Sequence, residues 1–160
     1  EFRRVLFRSP DTPSHLRLQD YLPYRLAVTS NLVSRLVARA YQDQFGVTIW
    51  EWRVIAILGE GEPMTAQALS DSAAMDKVSV SRAVRTLEER GLVERENNAA
   101  DRRSRLLHLT ADGRRVYDEI APVALEQEAA LLSEFSEDEI ELLAGLLDRL
   151  RCRSAGLSRP

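Results

Sequence analysis

The sequence predicts a mainly α-helical fold carrying one small β-hairpin, a winged helix-turn-helix with long helices at both ends. Three observations predict it. Apolar residues recur at three- and four-residue spacing through most of the chain, the period of amphipathic helices. Two short helical segments, near 65–72 and 76–90, are separated by a turn of three or four residues. Two strand-like runs with a polar tip between them follow directly, where the period falls to two.

The elements follow in order. The first ten residues, EFRRVLFRSP, carry three arginines and no uninterrupted apolar stretch of the ~7 to 15 residues that a signal peptide needs. Residues 1–15 are expected to be a disordered leader or a cloning scar. Over 23–45, Leu26, Leu32, Val33, Leu36, Val37, Ala40 and Tyr41 form one helical stripe that Gly46 ends, making 16–47 an N-terminal helical segment. After Thr48, the residues Ile49, Trp52, Ile55, Ala56 and Leu58 predict a second helix, stopped by Gly59, Gly61 and Pro63. Thr65 caps a third helix through about residue 72, and Asp76 a fourth to residue 90 that Gly91 closes. Strands at 92–95 and 105–109 complete a winged domain over 48–110. Thr110 caps a long helix through about residue 135, which Pro122 is expected to kink. Ser136 and Glu139 form a capping box for the last helix, striped with Ile140, Leu143, Leu146, Leu147 and Leu150. Residues 111–155 thus hold two C-terminal helices.

With 160 residues, 44% hydrophobic and 29% charged, the chain suits one soluble cytoplasmic domain. No apolar run nears the ~20 residues of a membrane span. Cys152 is alone, which excludes an intrachain disulfide and agrees with a reducing compartment. Besides it only His15 and His108, far apart, could join a histidine and cysteine zinc site, so neither a metal nor a cofactor is expected. An enzyme lacks support: there is no glycine-rich phosphate loop, no nucleophile elbow, and no histidine near a serine or cysteine.

The net charge of -3 argues at first sight against nucleic acid, but residues 76–105 hold eight basic against six acidic side chains. On the fourth helix Val80, Ala83, Val84 and Leu87 face the core, which turns Lys77, Ser81 and Arg85 outward with Val78, Ser79 and Arg82 beside them. A helix ~10 to 12 Å across fits the major groove, and Arg82 and Arg85 are candidates for guanine contacts. The alternative is that they are ordinary surface charges paired with Glu88 and Glu89. Arg102 and Arg103 at the wing tip suit a narrow minor groove, and Asp101 is expected to hold a neighbouring arginine in a bidentate pair. A solvated hairpin is the alternative there.

The run DKVSVSRAVRTLEERGLVER after Thr65, followed by DRRSRLLHLTADGRRVYDEIAP, resembles the MarR family of bacterial regulators. The resemblance covers roughly 24–150 and is strongest over 68–122. It implies a winged helix-turn-helix between helical ends, 16–47 and 111–155, that intertwine into a homodimer, and regulation of transcription, usually repression, relieved by a small molecule; a monomer that folds both end helices onto its own core is the alternative to the dimer. By position, the recognition helix is 76–90 with Ser79, Ser81, Arg82 and Arg85 on DNA, and Arg102 and Arg103 are the wing arginines. Thr65 and Lys77 complete the expected DNA-binding set. Two such helices ~34 Å apart would read a pseudo-palindromic operator in double-stranded DNA. Family members often bind phenolic or aromatic acids. Tyr24, Arg25, Trp50 and Tyr117 are the candidate effector residues, while Trp52 reads as packing. The cysteine-based oxidant sensing of some relatives does not transfer to Cys152, which lies at the opposite end of the chain. A winged helix used for protein interaction without DNA binding is the competing function.

Overall fold

The computed structural model describes residues 16–99, 101 and 103–157, so the predicted leader and Arg102 lie outside the described residues. The chain divides into two units between Arg35 and Leu36. The first holds a short 3-10 turn, Leu18–Asp20, and the opening turns of helix α1, Leu22–Phe45, where Tyr21, Leu22, Tyr24, Leu26 and Leu32 are exposed.

The second unit begins with the rest of α1, where Ala38 and Tyr41 are buried. Burial pushes the Tyr41 phenol up to about 12, against the pull of nearby Arg53. Gly46 takes φ +60, the left-handed conformation that ends a helix at no steric cost. Helix α2, Ile49–Gly59, starts with a complete capping box: Glu51 accepts from the Thr48 amide at 2.7 Å, and Thr48 accepts from the Glu51 amide at 3.3 Å. Thr65 caps α3, Ala66–Ala73. The turn into α4, Lys77–Glu89, is locked by the Ser70 hydroxyl donating to the Met75 carbonyl at 2.6 Å. Gly91, at φ +68, closes α4, and the Leu92 amide returns to the Leu87 carbonyl at 2.9 Å.

That closing bond commits Leu92 to the helix end, so strand β2 runs Val93–Asn97, one residue later than expected. It pairs antiparallel with β3, Arg105–Leu109, from Val93 opposite Leu109 to Asn97 opposite Arg105. A strand not expected from the sequence, β1 at Met64–Thr65, pairs with the other edge of β3, giving the order β1-β3-β2. Two residues are too few to carry a period.

Helix α5, Ala111–Leu132, continues through Pro122 and ends three residues before the expected limit. Its first turn is pressed onto the wing, where a Cβ on Gly113 would stand 1.9 Å from the Leu92 carbonyl oxygen. Val54, Ile55, Leu58, Leu69, Val84, Leu87, Leu107 and Ile120 form the core between helices and sheet. Helix α6, Glu137–Leu157, starts at the expected Ser136–Glu139 box, in which the Ser136 amide donates to Glu139 at 2.9 Å. None of its residues is buried, and Leu143, Leu146, Leu147 and Leu150 are exposed. Among the described residues no helix is long and apolar enough to cross a membrane.

Candidate nucleic-acid interface

The interface begins at Asp76. One carboxylate oxygen accepts from the amides of Val78 and Ser79, both at 2.9 Å, and the other from the Ser79 hydroxyl at 2.6 Å. These bonds, the Ser79 hydroxyl first, hold the Asp76 carboxyl below the usual carboxylate range. With its first turn fixed, α4 buries Val80, Ala83, Val84 and Leu87 and leaves Lys77, Ser81, Arg82 and Arg85 exposed. Ser79 is half-buried, and while its proton serves Asp76 it is not available to a phosphate oxygen.

The arginines are not equivalent. Arg85 Nε donates to Glu89 at 2.9 Å, which is the paired alternative for this residue. Arg82 has no side-chain hydrogen bond or ion pair among the described residues. Arg95, on β2, is one of the eight basic residues of 76–105 and joins the site through the fold. It holds both oxygens of Glu88 on α4, at 2.7 and 3.0 Å, and so ties the wing to the exposed helix.

Two cavities that share Ala66, Gln67 and Arg95 form a groove between α3, the flank of α4 that carries Lys77, Val80, Ser81 and Val84, and the wing. Gln67, Lys77, Ser81 and Arg95 line one part, and Thr65, Gln67, Arg95, Arg103 and Arg105 the other. Four of the expected residues, Thr65, Lys77, Ser81 and Arg103, therefore share this groove, whereas Ser79, Arg82 and Arg85 do not line it. Thr65 also accepts the Ala68 amide at 3.2 Å as the α3 cap. At the tip, Asp101 accepts from the backbone amide of Arg103 at 3.0 Å rather than pairing with its guanidinium. A carboxylate two residues before an amide closes its own turn more readily than it reaches a flexible side chain. Asp101 thus shapes the tip, and the expected arginine clamp is corrected for Arg103.

The expected effector residues are distributed differently. Tyr24 and Arg25 lie in the first unit, both exposed. Trp50 is 49% exposed, with the Arg53 guanidinium 5.3 Å from its ring centre. Trp52, two positions on and so on the other side of α2, stacks near Tyr117 of α5 at 6.0 Å and 22°. A cleft beside that pair is lined by Trp52 and not by Trp50. The packing reading of Trp52 holds, since the buried Tyr41 ring also lies 5.6 Å from it, but the same indole reaches the cleft.

A helix-turn-helix with an exposed, basic second helix and an arginine-bearing hairpin defines a winged-helix DNA-binding fold. The MarR family model matches residues 45–104. YwoH, an HTH-type transcriptional regulator of Bacillus subtilis (strain 168), is 30% identical over 129 residues, 79% of this chain and 93% of the relative. A MarR/EmrR family transcriptional regulator from Acinetobacter sp. ADP1 superposes with a TM-score of 0.81 at 30% identity, covering 88% of this chain and 99% of that one. NadR in complex with 4-hydroxyphenylacetate gives a TM-score of 0.72 at 26% identity, covering 89% and 97%. The chain belongs to the MarR family of transcription regulators. These relatives are regulators rather than enzymes.

Proposed function

We propose that the chain is a homodimeric, sequence-specific repressor acting in the cytoplasm, released from a pseudo-palindromic operator by a small effector. The observation that carries this reading is the groove in which Thr65, Lys77, Ser81, Arg95 and Arg103 converge from the α3 cap, α4 and the wing. Cationic side chains beside a helix that fits the major groove supply phosphate contacts, and exposed Arg82 and Arg85 supply base contacts. Dimerisation is supported by α6, where a leucine stripe stands open to solvent. A contiguous apolar face of this kind marks an interface, and a second copy of the same helix is self-complementary to it. The ligand in NadR supports a small-molecule effector.

The test is selection of duplexes from a random pool near physiological salt, followed by titration of the winner across salt concentrations, with sedimentation to count protomers. Enrichment of a two-fold-symmetric site bound by a dimer, with affinity falling steeply as salt rises, is expected. A folded dimer that enriches no sequence overturns the reading in favour of a protein-interaction module.

A further inference from the structure

The cleft between α2 and α5 measures about 340 Å³, is open at the surface, and counts Trp52, Tyr117 and Leu125 in its lining. Ala56, Ala121 and Ala124 line it, and their small side chains leave the space. The two rings are half-buried. Their centres stand 6.0 Å apart, beyond the ~3.5–4 Å of full face-to-face contact, so neither ring fully covers the other. The cleft therefore offers apolar and aromatic surface on the scale of one small organic molecule.

Its charge is one-sided. The ionisable groups that join the two rings in the lining are Glu60, at the end of α2, and Glu128, about 16 Å beyond Tyr117 along α5 at ~1.5 Å per residue. Neither carboxylate has a hydrogen-bond or ion-pair partner among the described residues. The nearby cation, Arg114, is 5.2 Å from the Tyr117 ring centre, donates to the Gly59 carbonyl at 2.7 Å, and does not line the cleft. Along α5 beyond Tyr117 the sign is the same, because residues 118–132 contain four acidic side chains and no lysine or arginine. A carboxylate entering this cleft would meet two like charges, whereas an ammonium would meet two unpaired opposite ones.

We infer that this cleft binds a small aromatic or amphipathic cation, with Trp52, Tyr117 and the alanines holding its apolar body and Glu60 and Glu128 attracting its positive charge. The inference rests on the effector reading and departs from the expectation of an aromatic acid. The probes are 4-hydroxyphenethylamine and 4-hydroxyphenylacetate, which share a phenol and differ in the sign of the side-chain charge. Calorimetric titration of the full chain is expected to give at least about tenfold tighter binding of the amine. The Glu60→Gln, Glu128→Gln double variant, altered only at exposed positions, is expected to fold and to lose that preference. Tighter binding of the acid, an amine preference unchanged in the double variant, or no binding of either probe overturns the inference; a cleft covered by a second copy would give the last result. Operator binding separates the two claims. If the amine binds through the two glutamates yet leaves the duplex bound, the cationic site stands and the effector role fails. If the acid alone binds and releases the duplex, the effector role stands and the cationic site fails.

Discussion

Arg95 grips Glu88 through two nitrogens, at 2.7 and 3.0 Å, across the junction between the wing and the exposed helix α4. Both side chains are about one-third exposed, at 38% and 30%, so the pair is less screened than an open surface ion pair. A double-mutant cycle with Arg95→Ala and Glu88→Ala, followed by urea unfolding, is expected to give a coupling of about 0.5–1 kcal/mol. Additive losses would mean that the pair does not hold the wing.

Arg85 is committed to Glu89 one turn later, and both are well exposed. To reach a base, Arg85 must first leave that partner. Glu89→Gln is therefore expected to tighten operator binding by about twofold to fivefold, the worth of a surface ion pair. Arg85→Ala is expected to cost about 1–3 kcal/mol on the cognate duplex and much less on an unrelated one. Anisotropy titrations of both variants check this, and equal affinity of Arg85→Ala and the parent for the operator would remove Arg85 from the base contacts.

Much of this architecture is legible in the sequence because helix ends are local. Thr48, Thr65, Asp76, Thr110 and Ser136 each accept from an amide two or three residues on, and each could be placed by residue type and the apolar period that follows. Tertiary choices were not legible. Strand β1 exists only because β3 offers it an edge, and Arg95 finds Glu88 across the fold rather than along one element. The pairing of Arg85 was visible as one of two options at four-residue spacing, but sequence does not decide which rotamer prevails. The apolar helix face of Trp52 points to the core, and the cleft it also lines depends on Ala56 one turn on and on Ala121 and Ala124 from distant α5.

Gly113 sits where α5 meets the end of α4, and an added Cβ would meet the Leu92 carbonyl oxygen at 1.9 Å. A backbone atom cannot rotate away as a side chain can. Gly113→Ala is expected to destabilise the fold by about 3 kcal/mol, the upper end of overpacking costs, and to lower the melting temperature by about 6–12 °C. At Gly59 the obstacle is the Tyr117 ring, 2.4 Å from an added Cβ, which can tilt into the cleft. Gly59→Ala is therefore expected to melt closer to the parent than Gly113→Ala while weakening binding of the cleft's ligand. Circular dichroism melts of the two variants distinguish them, and an unchanged Gly113→Ala melt would contradict the contact.

Asp76 gives the recognition helix a pH dependence. Its carboxyl is held below the ordinary range by the Ser79 hydroxyl first, then by the amides of Ser79 and Val78. A group lowered in the folded state contributes stability above its unfolded value and loses that contribution as pH falls through the folded one. The loss should thus begin near pH ~4 and grow on further acidification. Asp76→Asn keeps a capping oxygen without the titration. Its melting temperature is expected to fall less steeply than the parent's below pH ~4, and parallel curves would show that Asp76 has no part in the acid sensitivity.

Arg90, the last residue of the α4 turn, reaches back to α1, donating through one terminal nitrogen to the Gly46 carbonyl and through the other to the Phe45 carbonyl, both at 2.9 Å. Glu51, buried in the α2 capping box, lies 4.0 Å from the same guanidinium. These carbonyls belong to the end of a helix, where backbone acceptors lack intrahelical partners. A planar fork can serve both at once, whereas a lysine ammonium on a flexible stem cannot fix two acceptors in the same geometry. Arg90→Met keeps the apolar stem and removes the fork, and urea unfolding is expected to show a loss of about 1.5–3 kcal/mol, the worth of hydrogen bonds from a charged group. Arg90→Lys is expected to recover less than half of it. Full recovery by lysine would mean that charge beside Glu51, and not the paired carbonyl contact, is what Arg90 contributes to holding the recognition helix against α1.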